Sequence, residues 1–126
     1  MEISLTVSED QKYIVLLGKG EIKSGDPGTL IQPLIEAHEL AMKRGIRNIL
    51  VDVTEARNTL GVFDNYDIVT RRIAQEPAVD RYARVVLLVS PNDHSHDFTE
   101  TVARNVGFNL TLYRDRGQAL AALTKD

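Results

Sequence analysis

Residues 46–61 have the sequence Ile-Arg-Asn-Ile-Leu-Val-Asp-Val-Thr-Glu-Ala-Arg-Asn-Thr-Leu-Gly and set the expected architecture of the chain. The stretch opens with a continuous apolar run at 49–51, which is typical of a strand buried in a parallel sheet. It then meets an acid at Asp52 and continues as a polar segment that leads into a helix. Open α/β sheets place functional groups at the carboxyl ends of their strands, so we expect Asp52, Thr54 and Thr59 to lie on a surface there.

The length and composition describe one small domain. A chain of 126 residues is about one domain, 1–126, and at this size folding buries roughly two thirds of the surface that the unfolded chain exposes. Cysteine is absent, which excludes disulfides, thiolate zinc sites and cysteine nucleophiles. A cytoplasmic location is the expectation for such a composition.

Charge and hydropathy exclude two classes of partner. Charged residues make up 26% of the chain, the formal net charge is -3 and the sequence has no basic stripe, so we expect no nucleic-acid groove. No apolar run approaches the roughly 18 residues that span a bilayer. The amino terminus alternates as a strand and lacks the pattern of a signal peptide. We therefore expect no stable membrane insertion.

Strand and helix patterns alternate along the chain. Residues 3–7 alternate apolar with polar, and the next strand at 13–17 follows too closely for a parallel crossover, so these two form an antiparallel hairpin. Residues 83–89 form a second continuous apolar run, and 110–113 mark a last strand. The predicted fold class is α/β, with a mixed sheet of about five strands, an N-terminal antiparallel hairpin followed by parallel strands, and about four helices in the order ββαβαβαβα.

The helix before the central strand is predicted to be amphipathic. Its apolar face runs from Leu30 to Met42, and Gly45 ends it. A helical wheel places His38 inside that face and Leu40 outside it. We expect His38 to be a satisfied core or core-edge histidine rather than a catalyst. Leu40 is expected to be an exposed leucine that either has no role or belongs to an interface.

A second helix is expected over 60–75, because apolar residues recur at helical spacing between 62 and 73. The same wheel places Ile68 opposite the apolar face, among charged residues. The candidate partner interface consists of exposed residues on and near these helices: Arg57, Asp64, Ile68, Arg71 and Leu40.

The chain resembles the STAS superfamily in its element order, in Asp52-Val53-Thr54 and in the terminal segment Gln118-Ala119-Leu120-Ala121-Ala122-Leu123. That superfamily includes the anti-sigma-factor antagonists and their Sec14-related relatives, and the resemblance covers nearly the whole chain. It implies a non-catalytic binding or regulatory module without a cofactor. It also implies a protein partner or self-association, for example as a homodimer, through the loop and helix after the central strand.

In the antagonist branch, a serine before the second helix is phosphorylated within an Asp-Ser-Ser-Gly sequence. The matching residues here depart from that pattern, because Asn58 replaces the acid and Leu60 the second hydroxyl. A hydroxyl at a helix amino terminus is commonly an N-cap, so we expect Thr59 to be a cap rather than a phosphorylation switch. The candidate loop site comprises Asp52, Thr54, Asn58, Thr59 and Gly61.

An alternative hypothesis is a small metal-dependent or acid–base enzyme. Asp93, His94 and His96 follow the second apolar strand, and with Asp97 they could meet Asp52 if the two loops are adjacent. Histidine and carboxylate groups suit a divalent metal or proton transfer near neutral pH. No nucleophile elbow, phosphate-binding loop or dinucleotide glycine motif accompanies them, and we favour a binding module over an enzyme.

A further alternative is a small binding protein for an apolar, lipid-like ligand, as the Sec14-related branch of the resemblance implies. The shortness of the chain argues against a large pocket.

Overall fold

The structure, a computed structural model, describes residues 2–22, 28–59 and 62–125. One sheet runs through it, and its strands lie side by side in chain order: β1 (Glu2–Val7), β2 (Ile14–Ile22), β3 (Asn48–Asn58), β4 (Arg84–Leu88) and β5 (Leu110–Tyr113). β1 and β2 are antiparallel, and every later neighbour pairs in parallel. The predicted mixed sheet with an N-terminal hairpin is confirmed.

The helices fall where the predicted element order places them: α1 (Gly28–Arg44), α2 (Val62–Asp67), α3 (Asp97–Asn105) and α4 (Arg116–Leu123). α2 continues directly into a π-helix at Ile68–Ile73. In a π-helix the backbone bonds span five residues, as in the 2.9 Å bond from the Ala74 N–H to the Val69 carbonyl. Within the described residues, no helix has the length and apolar character needed to cross a membrane.

The two faces of the sheet are covered by different helices. Parallel crossovers are right-handed, so the helices that connect successive strands in chain order lie on one face. The core cluster under α1 on that face contains Ile14, Ala37, Ala41, Ile46, Ile49 and Val85. The opposite face is covered by α4, whose cluster contains Leu50, Val86, Leu88, Ala119 and Leu123.

A bulge in β3 changes which side chains face the core. β2 and β3 pair Leu17 with Asp52 and then Lys19 with Glu55, so β3 carries one more residue than β2 between the two pairs. An extra residue of this kind breaks the alternation of a strand. As a result Ala56 is buried and Glu55 is exposed.

The packed face of α1 differs from the predicted one. Leu40 packs against the core cluster under α1, whereas Met42 is 73% exposed. The predictions that Leu40 lies outside the packed face and that Met42 lies inside it are therefore wrong. The contact between α1 and the sheet is centred on two small residues, Ala37 and Ala41, which let the helix approach the sheet closely. Leu40 therefore lies at the margin of this contact.

The second helix is also rotated relative to its prediction. Tyr66, which belongs to the apolar residues at helical spacing between 62 and 73, is 51% exposed. Ile68, predicted to lie opposite that apolar face, is only 7% exposed. Ile68 is the first residue of the π-helix, whose turns are wider than those of the α-helix on which the wheel was drawn. The wider turn lets the consecutive residues Ile68 and Val69 both pack inward.

Candidate functional site

Asp52 lies in the middle of β3 and not at its end. β3 pairs with β2 as far as Asn58, but it pairs with β4 only as far as Asp52. The prediction of a surface loop directly after Asp52 is therefore wrong. Polar side chains do not end a strand whose backbone remains paired along one edge, because the pairing is made by main-chain groups.

The carboxylate of Asp52 is buried, and both of its oxygens accept hydrogen bonds. Oδ1 accepts from the N–H and the hydroxyl of Thr54, at 3.0 and 2.8 Å, and Oδ2 accepts from Arg116 at 2.8 Å. Burial alone would raise the pKa of Asp52, but these hydrogen bonds outweigh it and leave the pKa below the usual value. The carboxylate thus closes the bulge at Thr54 and ties α4 to the sheet.

Because β4 pairs with β3 only as far as Asp52, the second half of β3 has no strand beside it on that edge. Side chains from the loop after β4 bond its main-chain groups instead. Backbone groups in a protein interior need hydrogen-bond partners, and this loop supplies a hydroxyl or an imidazole at successive positions. The bonds are Ser90 Oγ to the Thr54 carbonyl (2.6 Å), His96 Nε2 to the Ala56 carbonyl (3.3 Å), and the Asn58 N–H to Ser95 Oγ (3.1 Å).

Thr59 is bonded to the neighbouring strand. Its N–H and its hydroxyl both donate to the carbonyl of Ile22, at 3.0 and 2.7 Å. The predicted capping of the second helix and the position of Gly61 fall on residues 60–61, which lie outside the described residues. Thr59 as a cap rather than a switch stays a prediction.

The structure brings together two of the three candidate metal ligands after β4. Nε2 of the buried His96 lies 3.5 Å from Oδ2 of Asp93, whereas the side chain of His94 is 70% exposed and lies 2.9 Å from Asp97. Asp93 accepts a bond from the Ser95 N–H at 2.9 Å. Within residues 2–22, 28–59 and 62–125, no group of three His, Asp or Glu side chains is arranged to hold a metal ion.

The enzyme hypothesis also needs these residues to meet Asp52. Asp52 bonds Arg116 at the start of α4, whereas His96 lines a cavity on the opposite face of the sheet. Asp97 is engaged as well, since its carboxylate accepts a 2.6 Å bond from Arg114. The structure therefore does not bring the expected acid–base set together.

A cavity of about 160 Å³ lies between the sheet and the helices on the α1 face. Strands β2 to β5 form its floor, and α1, the π-helix and α3 form its walls. Its lining is mostly aliphatic and includes Leu16, Val53, Leu87, Ile68, Val69 and Ala103.

Five polar side chains interrupt this apolar lining: His38, Asn58, Asn65, His96 and Thr99. Asn58 and Asn65 bond each other, with Nδ2 of Asn58 donating to Oδ1 of Asn65 at 2.7 Å. His38 Nδ1 accepts from the Asp80 N–H at 3.2 Å, which confirms the expected satisfied core histidine. Thr99 Oγ1 is buried and has no hydrogen-bond partner among the described residues.

Both cavity histidines are held neutral. Burial lowers the pKa of His38, although the negative charge of Asp80 acts in the opposite direction. Burial also lowers the pKa of His96, although the hydrogen bond to the Ala56 carbonyl and the nearby carboxylates Asp93 and Asp97 act to raise it. The hydrogen bonds place the proton of His38 on Nε2, because Nδ1 accepts. The cavity is therefore polar at a few points and uncharged near neutral pH.

Arg81 ties two walls of the cavity together. Its guanidinium donates to the Ala74 carbonyl at 2.8 Å, just after the π-helix, and also to the Val106 carbonyl at the end of α3. The same group lies 5.1 Å from the ring centroid of Phe108, which lines the cavity. A single side chain thus holds the π-helix against α3.

Among the candidate interface residues that the structure describes, Arg57 and Arg71 are exposed. Arg71 lies 3.6 Å from Asp67. Leu40 and Ile68 pack inward and offer little surface to a partner. The side chain of Asp64 lies outside the described part of the chain.

Sequence reasoning missed Asn65, Thr99 and Arg81. Asn65 and Thr99 sit on helices at positions that face the sheet, and a polar residue on the packed side of an amphipathic helix is the signal that could have found them. Arg81 lies in a connection without periodicity, so its contacts have no local signature.

The sheet order and the helix placement define a STAS-like α/β fold. No protein-family model matches the sequence, and no curated protein matches it. A solved structure that resembles the chain is an uncharacterised protein of the DUF3478 family with a SpoIIAA-like fold, from Shewanella loihica PV-4. The two share 18% identity at a TM-score of 0.50, over 97% of this chain and 92% of that one. The chain has the SpoIIAA-like fold of the anti-sigma-factor antagonists, which confirms the predicted resemblance in fold.

Proposed function

We propose that the protein is a non-catalytic, cytoplasmic binding module whose ligand is a small, largely apolar molecule held in the cavity beneath the π-helix. The cavity is the observation that carries this proposal. Protein interiors are close-packed, and voids larger than a water molecule are few. Here a partly open cavity of about 160 Å³ lies between the sheet and three helical segments. An apolar cavity of about 150 Å³ is large enough to bind benzene.

The cavity has an energetic cost when it is empty. Atoms that line an unfilled space lack dispersion partners on one side. A ligand that fills the space restores the lost dispersion contacts, so its binding would also stabilise the fold.

The π-helix supports the same proposal. π-helical turns are rare and are often found at functional sites. This one places Ile68 and Val69 side by side in the wall of the cavity.

The test is to fill the cavity from inside. Ala103 is buried and lines the cavity, whereas Ala37 is buried in the core cluster under α1 and is not among the lining residues. We expect Ala103→Leu to be tolerated or stabilising, and to abolish binding of toluene measured by amide chemical shifts of the π-helix. The matched control Ala37→Leu should cost about 1–3 kcal/mol through overpacking. Equal destabilisation by both substitutions, with toluene shifts unchanged, would contradict the proposal.

A protein partner or a second copy of the chain is the other candidate, and a surface groove favours it. The groove has a volume of about 780 Å³ and lies beside residues 54–57 of β3, beyond the carboxyl end of β4, and open α/β sheets usually bind ligands at the carboxyl ends of their strands. Its lining includes the polar side chains of Arg57, Asn92 and His94.

Arg57→Glu tests this groove and Arg71→Glu tests the exposed side of the π-helix, with Arg44→Glu at the end of α1 as an exposed control. Light scattering and capture from the native host should show a complex with the parent protein and the control, and its loss with the first two variants. A complex that survives both substitutions would place the partner elsewhere.

A further inference from the structure

We infer that the ligand of the cavity is uncharged and carries one hydroxyl group, which bonds Thr99 Oγ1. This inference rests on the proposed function and assigns the chemical class of its ligand. It starts from two observations on one residue: Thr99 lines the cavity, and its hydroxyl oxygen is buried without a partner among the described residues.

Thr99 lies in the first turn of α3, so its hydroxyl has no helical carbonyl four residues before it to bond. By contrast, the hydroxyls of Thr70, Thr101 and Thr124 bond the carbonyl four residues before them, at 2.7, 3.4 and 3.0 Å. A buried polar group without a partner is unfavourable. The hydroxyl of Thr99 is thus available to a bound molecule, toward which it can donate or accept.

The charge of the ligand follows from the rest of the lining. The described lining residues include no Lys, Arg, Asp or Glu. The two histidines are neutral and already bonded, His38 through the Asp80 N–H and His96 through the Ala56 carbonyl. A carboxylate or ammonium group would therefore enter without a counter-charge, which is strongly unfavourable in an apolar site.

The size of the ligand follows from the volume. A cavity of about 160 Å³ accommodates a benzene-sized ring with one small substituent, or a short aliphatic chain. Phenol fits this description, and toluene and benzoate are its matched controls, since they replace the hydroxyl by a methyl or a carboxylate.

The experiment is a cycle of two ligands and two proteins. Phenol and toluene are titrated into the parent protein and into Thr99→Val, which replaces the hydroxyl by a methyl of similar size. We expect the substitution to lower phenol affinity about tenfold, the worth of one hydrogen bond, and to leave toluene affinity unchanged or higher. Thr99→Ser should retain the preference for phenol, and benzoate should not bind measurably.

Each outcome has a definite reading. If toluene binds but the phenol-to-toluene ratio is the same in Thr99→Val, the assignment to Thr99 is overturned and the proposed cavity function stands. Benzoate binding as tightly as phenol would overturn the neutral-ligand inference. If the parent protein binds neither toluene nor phenol, both proposals fail. A nuclear Overhauser effect from phenol to the Thr99 methyl tests the contact in the parent protein, independently of how the variants fold.

Discussion

The hydroxyl of Ser90 donates a 2.6 Å hydrogen bond to the carbonyl of Thr54, at the point where β4 has ended and β3 continues. It is followed by the bonds from His96 to Ala56 and from Asn58 to Ser95. These side-chain bonds give three main-chain groups of β3 a partner beyond the end of β4. The extension brings Asn58 to the cavity wall.

Removing the first of these bonds should destabilise the fold. We expect Ser90→Ala to lower the free energy of unfolding by about 1–2 kcal/mol, because it leaves a part-buried carbonyl without its donor. Urea denaturation measures the loss, and Ser90→Thr should recover most of it. The exposed Ser4 of β1 is the control position. A Ser90→Ala variant as stable as Ser4→Ala would show that the bond contributes nothing.

The buried histidines should make stability pH-dependent. Above about pH 7, His38 and His96 are neutral in both the folded and unfolded chain, so stability is at its full value. As the pH falls below the ordinary histidine value of 6.5, the unfolded chain takes up protons that the folded chain excludes, because burial lowers both pKa values. The free energy of unfolding should then fall by up to about 1.4 kcal/mol per pH unit for each histidine.

His38→Asn isolates one of these contributions. The side-chain amide oxygen of the introduced asparagine can still accept a hydrogen bond from the Asp80 N–H, and asparagine does not titrate. Denaturation measured from about one pH unit above the ordinary histidine value to about two units below it should show a smaller slope than in the parent protein. An unchanged slope would mean that His38 protonates as readily in the folded state as in the unfolded one.

Arg81 should control exchange through the cavity wall. Arg81→Ala removes the link between Ala74 and Val106, so we expect faster toluene exchange in NMR line shapes and faster amide hydrogen exchange in the π-helix. Arg81→Lys should behave similarly, because an ammonium group lacks the planar fork that reaches two carbonyls. Arg104→Ala, at an exposed arginine of α3, is the control. Exchange rates equal to those of this control would rule out a role in closing the wall.

Asp52 should matter more than its partner Arg116. Asp52→Ala removes the acceptor of two Thr54 donors as well as the ion pair, which should cost about 2–3 kcal/mol. The side chain of Arg116 is 55% exposed, so Arg116→Ala should cost about 1 kcal/mol or less. Thermal denaturation of both variants measures the difference. The reverse ranking would assign the stabilisation to the ion pair.

The burial of Ile68 predicts a clear contrast with Met42. Ile68→Asp should cost at least about 3 kcal/mol, because it places an unpaired charge beside the cavity, whereas Met42→Asp should change stability by about 0.5 kcal/mol or less. Equilibrium unfolding of the two variants is the measurement. Similar small effects would mean that Ile68 is exposed in solution.

The local pattern of the chain was sufficient for the element order. The alternation at 3–7, the apolar runs at 49–51 and 83–89, and the short first connection predicted a mixed sheet with an N-terminal hairpin, as observed. His38 was also placed correctly inside the packed face of α1. These features depend on periodicity over neighbouring residues, which the sequence displays directly.

Tertiary structure alone decided where β3 ends and what lies beneath α2. The segment after Asp52 has the composition of a loop, yet it pairs with β2 and is completed by Ser90, Ser95 and His96 from far along the chain. The cavity is a volume left unfilled between strands and helices from most of the chain, so no single stretch of sequence encodes it. Pairing and packing between distant residues have no local period, and for that reason the candidate site moved from a predicted surface loop to the interior.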